Sequence, residues 1–124
     1  MDYKDLTVFK KAFELAMIIF EESKKFPKEE RYSLTDQIRR SSRSVCSNIA
    51  EGYRKRQYPA HFSSKMSDAD MENSETQTWL LFALACEYIP NEVVNDLQKR
   101  SEEIGRLLSH IVNNPESYNP SSKK

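Results

Sequence analysis

The sequence has few residues that break regular structure, with two glycines and five prolines among 124 residues. A sheet protein needs turn residues and β-branched runs at short intervals, so this scarcity disfavours a β architecture. The length suits one domain with a single hydrophobic core. We therefore predict an all-α protein.

An excess of charge of either sign is also absent. Lysine and arginine total 19, aspartate and glutamate total 19, and the formal net charge is zero. Such a chain has no overall field that attracts it to nucleic acid or to an anionic membrane. Any electrostatic function must therefore come from a local cluster.

Cysteines and long apolar runs are scarce too. Cys46 and Cys86 are too few for a disulfide framework, and both fall in apolar helical patterns where a thiol acts as a small hydrophobe. No apolar run approaches the roughly 20 residues that span a bilayer, and the N-terminus is charged from its second residue. We expect a soluble, unexported, cytoplasmic protein with no membrane partner.

Catalytic and metal-binding motifs are missing. With two glycines there is no glycine-rich phosphate loop, and neither His61 nor His110 follows an acid by the three residues that a di-iron bundle requires. The spacing suggests no Ser-His-Asp or Cys-His arrangement. We predict a protein that is not an enzyme and has no cofactor, no metal and no evident small-molecule substrate.

What the sequence does contain is apolar residues at helical spacing, in segments separated by prolines. The pattern predicts helices over about 4–25, 34–54, 59–88 and 91–112, which together form a domain over 1–114. Short links imply antiparallel neighbours, and hence an up-down-up-down four-helix bundle. The polar, proline-containing residues 115–124 are predicted to be a disordered tail.

The second predicted helix has the clearest division into faces. Leu34, Ile38, Val45 and Ile49 form one stripe, with Ser41 and Ser42 between them, and this stripe is the predicted core face. Six basic residues lie off that stripe or just past the helix: Arg39, Arg40, Arg43, Arg54, Lys55 and Arg56.

These six residues form the one strongly basic region of a neutral chain, and two interpretations remain open. They are candidate nucleic-acid contacts, with Tyr53 and Tyr58 nearby as candidate stacking groups. Alternatively, the arginines form structural salt bridges with acids of the third helix or of another subunit. The candidate acids are Asp68, Asp70, Glu72 and Glu75.

Asn48, Glu51 and Gly52 also have two interpretations. Asn48 and Glu51 lie one turn apart and are suited either to a ligand or to contacts with a neighbouring helix, and we favour the helix contacts. Gly52 is either a helix-end residue with positive φ or a point where two helices approach closely.

The third predicted helix is apolar almost all round near Trp79, Leu80, Leu81 and Phe82. A helix with one buried face does not need this pattern, so the segment favours a second buried face against another subunit. The alternative is a central helix in a tight monomer.

Short segments of the sequence, spread over nearly the whole globular part, match the pattern of a known protein family. They are Asp5-Leu6, Val8-Phe9, Lys11-Ala12, Phe26-Pro27, Glu30-Arg31-Tyr32-Ser33-Leu34, Gln37-Ile38-Arg39-Arg40, Ser44 and Asn48-Ile49-Ala50-Glu51-Gly52. In the third helix the same pattern is matched at Ala69, Glu75, Thr78 and Leu80, whereas Met71 and Glu72 replace its usual Gly-Ser pair. In this order and spacing the chain resembles the 23S rRNA-intervening-sequence proteins, four-helix bundles whose relatives include the accessory protein of diversity-generating retroelements.

The resemblance implies a ring-like homopentamer, and it implies that Asn48, Glu51 and Gly52 belong to a packing signature. The family's biochemical role is mostly unassigned. Our leading hypothesis is an oligomeric RNA- or DNA-binding or ribonucleoprotein accessory module. The alternative is a protein-protein interaction scaffold whose arginines make structural salt bridges.

Overall fold

The computed structural model describes residues 2–120 of the chain. Over that range the protein has four α-helices and no strand: α1 (Thr7–Ser23), α2 (Leu34–Arg54), α3 (Pro59–Ala85) and α4 (Asn91–Asn113). Each helix packs against the next in the chain, and α1 also packs against α4. The four helices therefore close into an antiparallel bundle, which confirms the predicted fold class.

The core lies where the apolar stripes of the four helices meet. All four apolar residues of the predicted α2 stripe are buried, and so are Ser41 and Ser42. Large core side chains with at most 1% exposure come from three helices: Ile38, Ile49, Phe62, Met66, Leu80, Leu97, Ile104 and Leu108. The side of α2 opposite this stripe is consequently left for polar residues.

Helix α1 is shorter at both ends than the pattern predicted. Asp2 and Asp5 form a capping box around a separate 3₁₀ turn, Tyr3–Asp5, and Leu6 is extended, so α1 begins at Thr7. At the other end α1 stops at Ser23, before the Phe26-Pro27 pair. Acidic residues near the N-terminus thus cap a preceding turn rather than α1 itself.

Helix α3 ends at Ala85, three residues before the predicted end at 88. The Tyr88 and Glu87 backbone N–H groups donate to the Ala83 and Leu84 carbonyls, both at 2.9 Å, and Glu87 has φ 61°. This is a Schellman motif with a non-glycine residue in the left-handed position. Pro90 precedes α4 as its N-cap residue.

The turn after α3 meets the turn before α2 at one end of the bundle. The Tyr88 hydroxyl donates to Glu30 Oε2 at 2.8 Å, and the backbone N–H of Leu34 donates to Glu30 Oε1 at 3.2 Å. Tyr88 and Phe26 also pack with their ring centroids 5.3 Å apart. Glu30 therefore links the start of α2 to the α3–α4 turn.

Buried polar residues fix α3 against both of its neighbours. Asn73 donates to the Ser101 carbonyl at 2.9 Å, and the Ser101 hydroxyl donates to Asn73 Oδ1 at 2.8 Å. Towards α2, the Thr76 hydroxyl donates to Ser41 Oγ at 2.9 Å. Because these groups are satisfied only in one alignment, they specify how the helices are placed along one another.

The segment after α4 differs from the predicted disordered tail over residues 115–120. Pro115–Tyr118 is a short 3₁₀ helix, and the Tyr118 ring lies 5.5 Å from that of Phe62. An aromatic side chain in an otherwise polar segment supplies this contact. Residues 121–124, the rest of the predicted tail, lie outside the described residues.

Candidate nucleic-acid interface

The arginines of α2 lie on the sides of the helix that do not face the core. Helical spacing places Arg40, Arg43 and Arg54 opposite the buried stripe, and Arg39 on the flank that faces α1. Arg43 and Arg54 share the outer face but are 11 residues apart, a separation of ~16 Å along the axis. The predicted basic region is thus divided into two clusters.

On the α1 side, Arg39 and Arg43 both lie over the ring of Phe20. Their guanidinium carbons are 4.8 and 5.5 Å from its centroid, and Arg39 Nε donates to Ser23 Oγ at 2.7 Å. Neither arginine forms an ion pair with any residue in 2–120. The aromatic contact orients these guanidinium groups without neutralising their charge.

On the α3 side, Arg40 forms the one ion pair between the α2 arginines and the described residues of α3. Its Nη2 is 3.0 Å from Glu75 Oε1, and it also donates to Gln37 Oε1 at 3.1 Å. About half of the Arg40 side chain is exposed, so this pair contributes little to stability. The salt-bridge interpretation therefore holds for Arg40 and fails for Arg39 and Arg43 within the described chain.

None of the other acids of the predicted acidic run forms an ion pair with an α2 arginine among residues 2–120. Glu72 Oε1 is buried and has no hydrogen-bond partner in the described part of the chain, and burial, reinforced by the nearby Glu75 carboxylate, raises the pKa of Glu72. Asp70 lies on the α4 side next to Gly105, and burial raises its pKa as well. Asp68 is exposed and forms no ion pair within residues 2–120.

A depression of about 680 Å³ runs along the start and middle of α2, and we call it the arginine depression. Its lining residues are Arg31, Tyr32, Thr35, Asp36, Arg39, Arg40, Arg43, Ser44 and Ser47. It thus combines four arginines with a single carboxylate. Arg31 and Tyr32 were not among the predicted site residues, because they precede the helix and are outside its periodic pattern.

The second basic cluster, Arg54 to Arg56, lies at the C-terminal end of α2 and does not line the arginine depression. Arg56 lies 4.0 Å from the centroid of the Tyr53 ring and donates to the Tyr53 carbonyl at 3.0 Å. Arg54 and Lys55 are exposed and form no ion pair with described residues. Tyr53 itself is buried, so it is not the accessible stacking group that the sequence suggested.

Tyr58, the other candidate stacking group, is about half exposed and packs edge-on against His61, with centroids 6.1 Å apart. It lies between α2 and α3, outside the arginine depression. The accessible aromatic residue beside the α2 arginines is therefore Tyr32, which is 82% exposed.

Asn48, Glu51 and Gly52 mark the contact between α2 and α3. Asn48 Nδ2 donates to the Ser44 carbonyl at 2.9 Å, and Glu51 forms an ion pair with Lys65 of α3 at 3.1 Å. Gly52 does not have a positive φ, so its interpretation as a left-handed residue at the helix end is wrong. A Cβ at Gly52 would lie 3.0 Å from Lys65 Cβ, which confirms the close helix approach.

Two apolar surfaces flank this region. The first, which we call the apolar groove, lies between α1 and α2, has a volume of about 530 Å³ and meets the arginine depression at Arg43 and Ser47. Its apolar lining comprises Tyr3, Phe9, Phe13, Ala16, Met17, Cys46 and Ala50. The second, the α3 patch, comprises Met71, Leu81 and Phe82, all more than half exposed, and Trp79, which packs against Phe82.

Neither a metal-binding cluster nor a membrane-spanning helix is found among residues 2–120. No group of three or more histidine, cysteine, aspartate or glutamate side chains is placed to hold a metal ion. None of the described helices is long and apolar enough to cross a membrane.

Comparison with known proteins agrees with the bundle architecture. The chain is 32% identical to a protein of unknown function from the S23 ribosomal protein family of Bacteroides thetaiotaomicron, whose crystal structure superposes with a TM-score of 0.78. The match covers 90% of this chain and 99% of that chain. No curated protein matches significantly. The family model described as 23S rRNA-intervening sequence protein matches residues 4–110. The chain therefore belongs to the 23S rRNA-intervening sequence protein family.

Proposed function

We propose that this protein is a non-enzymatic, oligomeric accessory module of the cytoplasm that binds nucleic acid or a ribonucleoprotein through the arginines of α2. The observation that carries the proposal is the arginine depression, whose lining includes four arginines and one carboxylate. Only Arg40 among them forms an ion pair with the described residues. Three guanidinium groups therefore keep their capacity to bind phosphate.

The physical basis is local, because the whole chain carries no net charge. Each arginine that contacts a phosphate releases condensed counterions, so the affinity falls steeply as salt rises. Arginine is suited to this role because its planar donors match two phosphate oxygens at once. Arg54 and Lys55 lie ~16 Å beyond Arg43 along α2, where they can contact further phosphates of the same ligand.

Salt-dependent binding of RNA and DNA to the full-length chain tests the proposal. We expect binding at low salt, and we expect the double variant Arg31→Glu/Arg43→Glu to bind at least tenfold more weakly. Its plot of log affinity against log salt should become less steep, by about 0.9 for duplex DNA and about 0.7 for a single strand, for each phosphate that the variant no longer binds. Arg54→Glu/Lys55→Glu tests the second cluster in the same way.

The matched control is Arg106→Glu, which changes the charge of an exposed arginine on α4. We expect this control to bind as the wild type does. Absence of low-salt binding by the wild type, or an equally weakened affinity in the control, contradicts the proposal.

We also propose that the protein assembles as the homopentamer that the family resemblance implies. The α3 patch and the apolar groove support this part of the proposal, since each exposes aromatic and aliphatic side chains that a monomer leaves in water. They lie on different helices, so one copy can present its α3 patch to the groove of the next. Such head-to-tail contacts generate rings when the rotation closes.

The alternative function is a protein-binding scaffold, and specific contacts favour it. Arg40 joins α2 to α3 through Glu75, and Arg39 joins α2 to α1 through Ser23 and Phe20. If these contacts are the arginines' main role, Arg39→Ala lowers the free energy of unfolding by about 1–2 kcal/mol or dissociates the oligomer. Under this alternative the wild type binds no RNA or DNA at low salt, and that result distinguishes the two functions.

A further inference from the structure

We propose that the arginine depression recognises single-stranded nucleic acid, with an unpaired base stacked on Tyr32 and the adjacent phosphates held by Arg39 and Arg43. This inference rests on the proposed function and narrows its ligand from nucleic acid in general to a strand with accessible base faces.

The position of Tyr32 carries the inference. Tyr32 is 82% exposed, more than any other large hydrophobic residue that the structure describes. It lines the same depression as the arginines. The guanidinium of Arg31 lies over its ring, 5.1 Å from the centroid. A tyrosine backed by a guanidinium offers a flat platform, and exposed aromatics within a basic groove are how proteins bind single strands.

The chemistry of the ligand distinguishes a single strand from a duplex. Phosphate contacts are available in both forms, but the base faces of a duplex are covered by their stacked neighbours. Only an unpaired or splayed nucleotide can place its base on Tyr32. The depression, at about 680 Å³, falls within the size range of pockets that hold small molecules.

The single carboxylate of the depression suggests how the strand is oriented. Asp36 lies in the first turn of α2, four residues after Tyr32 in the chain, and repels phosphate, whereas Arg43 lies nearly two turns beyond Asp36. The base is therefore placed at the Tyr32 end, and the backbone continues towards Arg43.

The test measures fluorescence anisotropy of labelled oligonucleotides of about 12 nucleotides with the full-length chain at low salt. The probes are a single-stranded RNA, a single-stranded DNA of the same sequence, and the duplex of each. We expect the single strands to bind at least tenfold more tightly than their duplexes. A preference for RNA over DNA, for DNA over RNA, or for neither supports the inference equally, because both offer stacked bases and phosphates.

Variants at Tyr32 separate stacking from charge. Tyr32→Ala should lower single-strand affinity roughly 5-fold to 100-fold, leave duplex affinity unchanged and leave the salt dependence unchanged. Tyr32→Phe should retain single-strand binding. The control is Tyr58→Ala, which removes an exposed tyrosine outside the depression and should have no effect. If Tyr32→Ala does not fold, Tyr32→Leu gives the same test, because it keeps apolar bulk without an aromatic face.

Different outcomes overturn the inference and the proposed function. Duplex binding as tight as single-strand binding, or an unchanged affinity of Tyr32→Ala, overturns the single-strand inference. In either case the proposed function still holds if Arg31→Glu/Arg43→Glu weakens the binding. No binding of any probe at low salt overturns both.

Discussion

At the scale of single residues, the two cysteines occupy unlike environments. Cys86 is exposed just past the end of α3, whereas Cys46 is half-buried on α2 with its Sγ 3.9 Å from the Ser42 carbonyl. Burial raises the pKa of the Cys46 thiol to about 11. At about pH 8 only on the order of 1 in 1,000 Cys46 side chains is thiolate, the form that reacts.

We therefore expect an aromatic disulfide reagent at about pH 8 to modify one thiol per chain quickly and the other only slowly. The fast phase belongs to Cys86, so Cys86→Ser should remove it while denaturant restores the reaction of Cys46. A fast phase that persists in Cys86→Ser contradicts this assignment.

Tyr88 supplies a pH-dependent contribution to stability. Its hydrogen bond to Glu30, reinforced by burial, raises the pKa of Tyr88 from 10.0 to about 12. Because the folded state holds this proton more tightly than the unfolded state, the contribution is complete below pH 10 and is lost as pH rises through about 12.

Thermal unfolding of wild type and Tyr88→Phe across this range measures the effect. We expect the difference in Tm between the two proteins to be constant below pH 10 and to shrink above it, because the variant has no phenol to ionise. Tyr58→Phe, at an exposed tyrosine for which no carboxylate hydrogen bond is seen among residues 2–120, is the control. If the difference in Tm between wild type and Tyr88→Phe does not depend on pH, the Glu30 contact is not its cause.

At the scale of elements, the packing of α2 on α3 depends on Gly52. Its absent side chain allows Lys65 Cβ and Met66 Cε to approach to 3.0 and 3.2 Å of the position a Cβ would take. We expect Gly52→Ala to lower the free energy of unfolding by about 1–3 kcal/mol, because the two backbones must separate, and this outweighs the better helix propensity of alanine.

Gly105 of α4 is the matched control for Gly52. A Cβ there would meet only side-chain atoms, Asn73 Nδ2 at 3.4 Å and Asp70 Oδ1 at 3.6 Å. Gly105→Ala should therefore be neutral or stabilise the protein by up to about 1 kcal/mol. Denaturant unfolding compares the two variants, and equal stability of Gly52→Ala and wild type would show that α2 and α3 can adjust without cost.

At the scale of the whole molecule, the proposed assembly is testable through the two apolar surfaces. If the α3 patch seats in the apolar groove of the next copy, both Phe82→Ser and Phe13→Ser should dissociate the particle, since each removes a large aromatic contact from one side of the same interface. Sedimentation or light scattering should give the mass of five 14.5 kDa chains for the wild type and a smaller mass for the variants.

Tyr58→Ser is the control for this experiment, because Tyr58 is also exposed but belongs to neither surface. A wild-type particle with the mass of one chain contradicts the assembly. A pentamer that survives both serine substitutions shows that other surfaces hold it together.

The composition and the spacing of apolar residues determined the four helices and the core face of α2. Helical periodicity is a property of neighbouring residues, so Leu34, Ile38, Val45 and Ile49 could be assigned to one buried stripe without knowledge of the rest of the chain. Helix ends were less predictable. The end of α3 depends on the left-handed Glu87, and a non-glycine residue gives no signal of that conformation.

Only the tertiary structure decided what each polar residue of α2 contacts. The partners of Arg39 and Arg40 are 16 and 35 positions away in the chain, so they depend on which helix lies against each flank of α2. The same placement buried Tyr53 and brought Tyr32 into the arginine depression. The sequence thus determined which residues face away from the core, because that follows from local periodicity. The packing of α1 and α3 against α2 determined which of those residues keep their charge accessible, because it brings together residues that are distant in the chain.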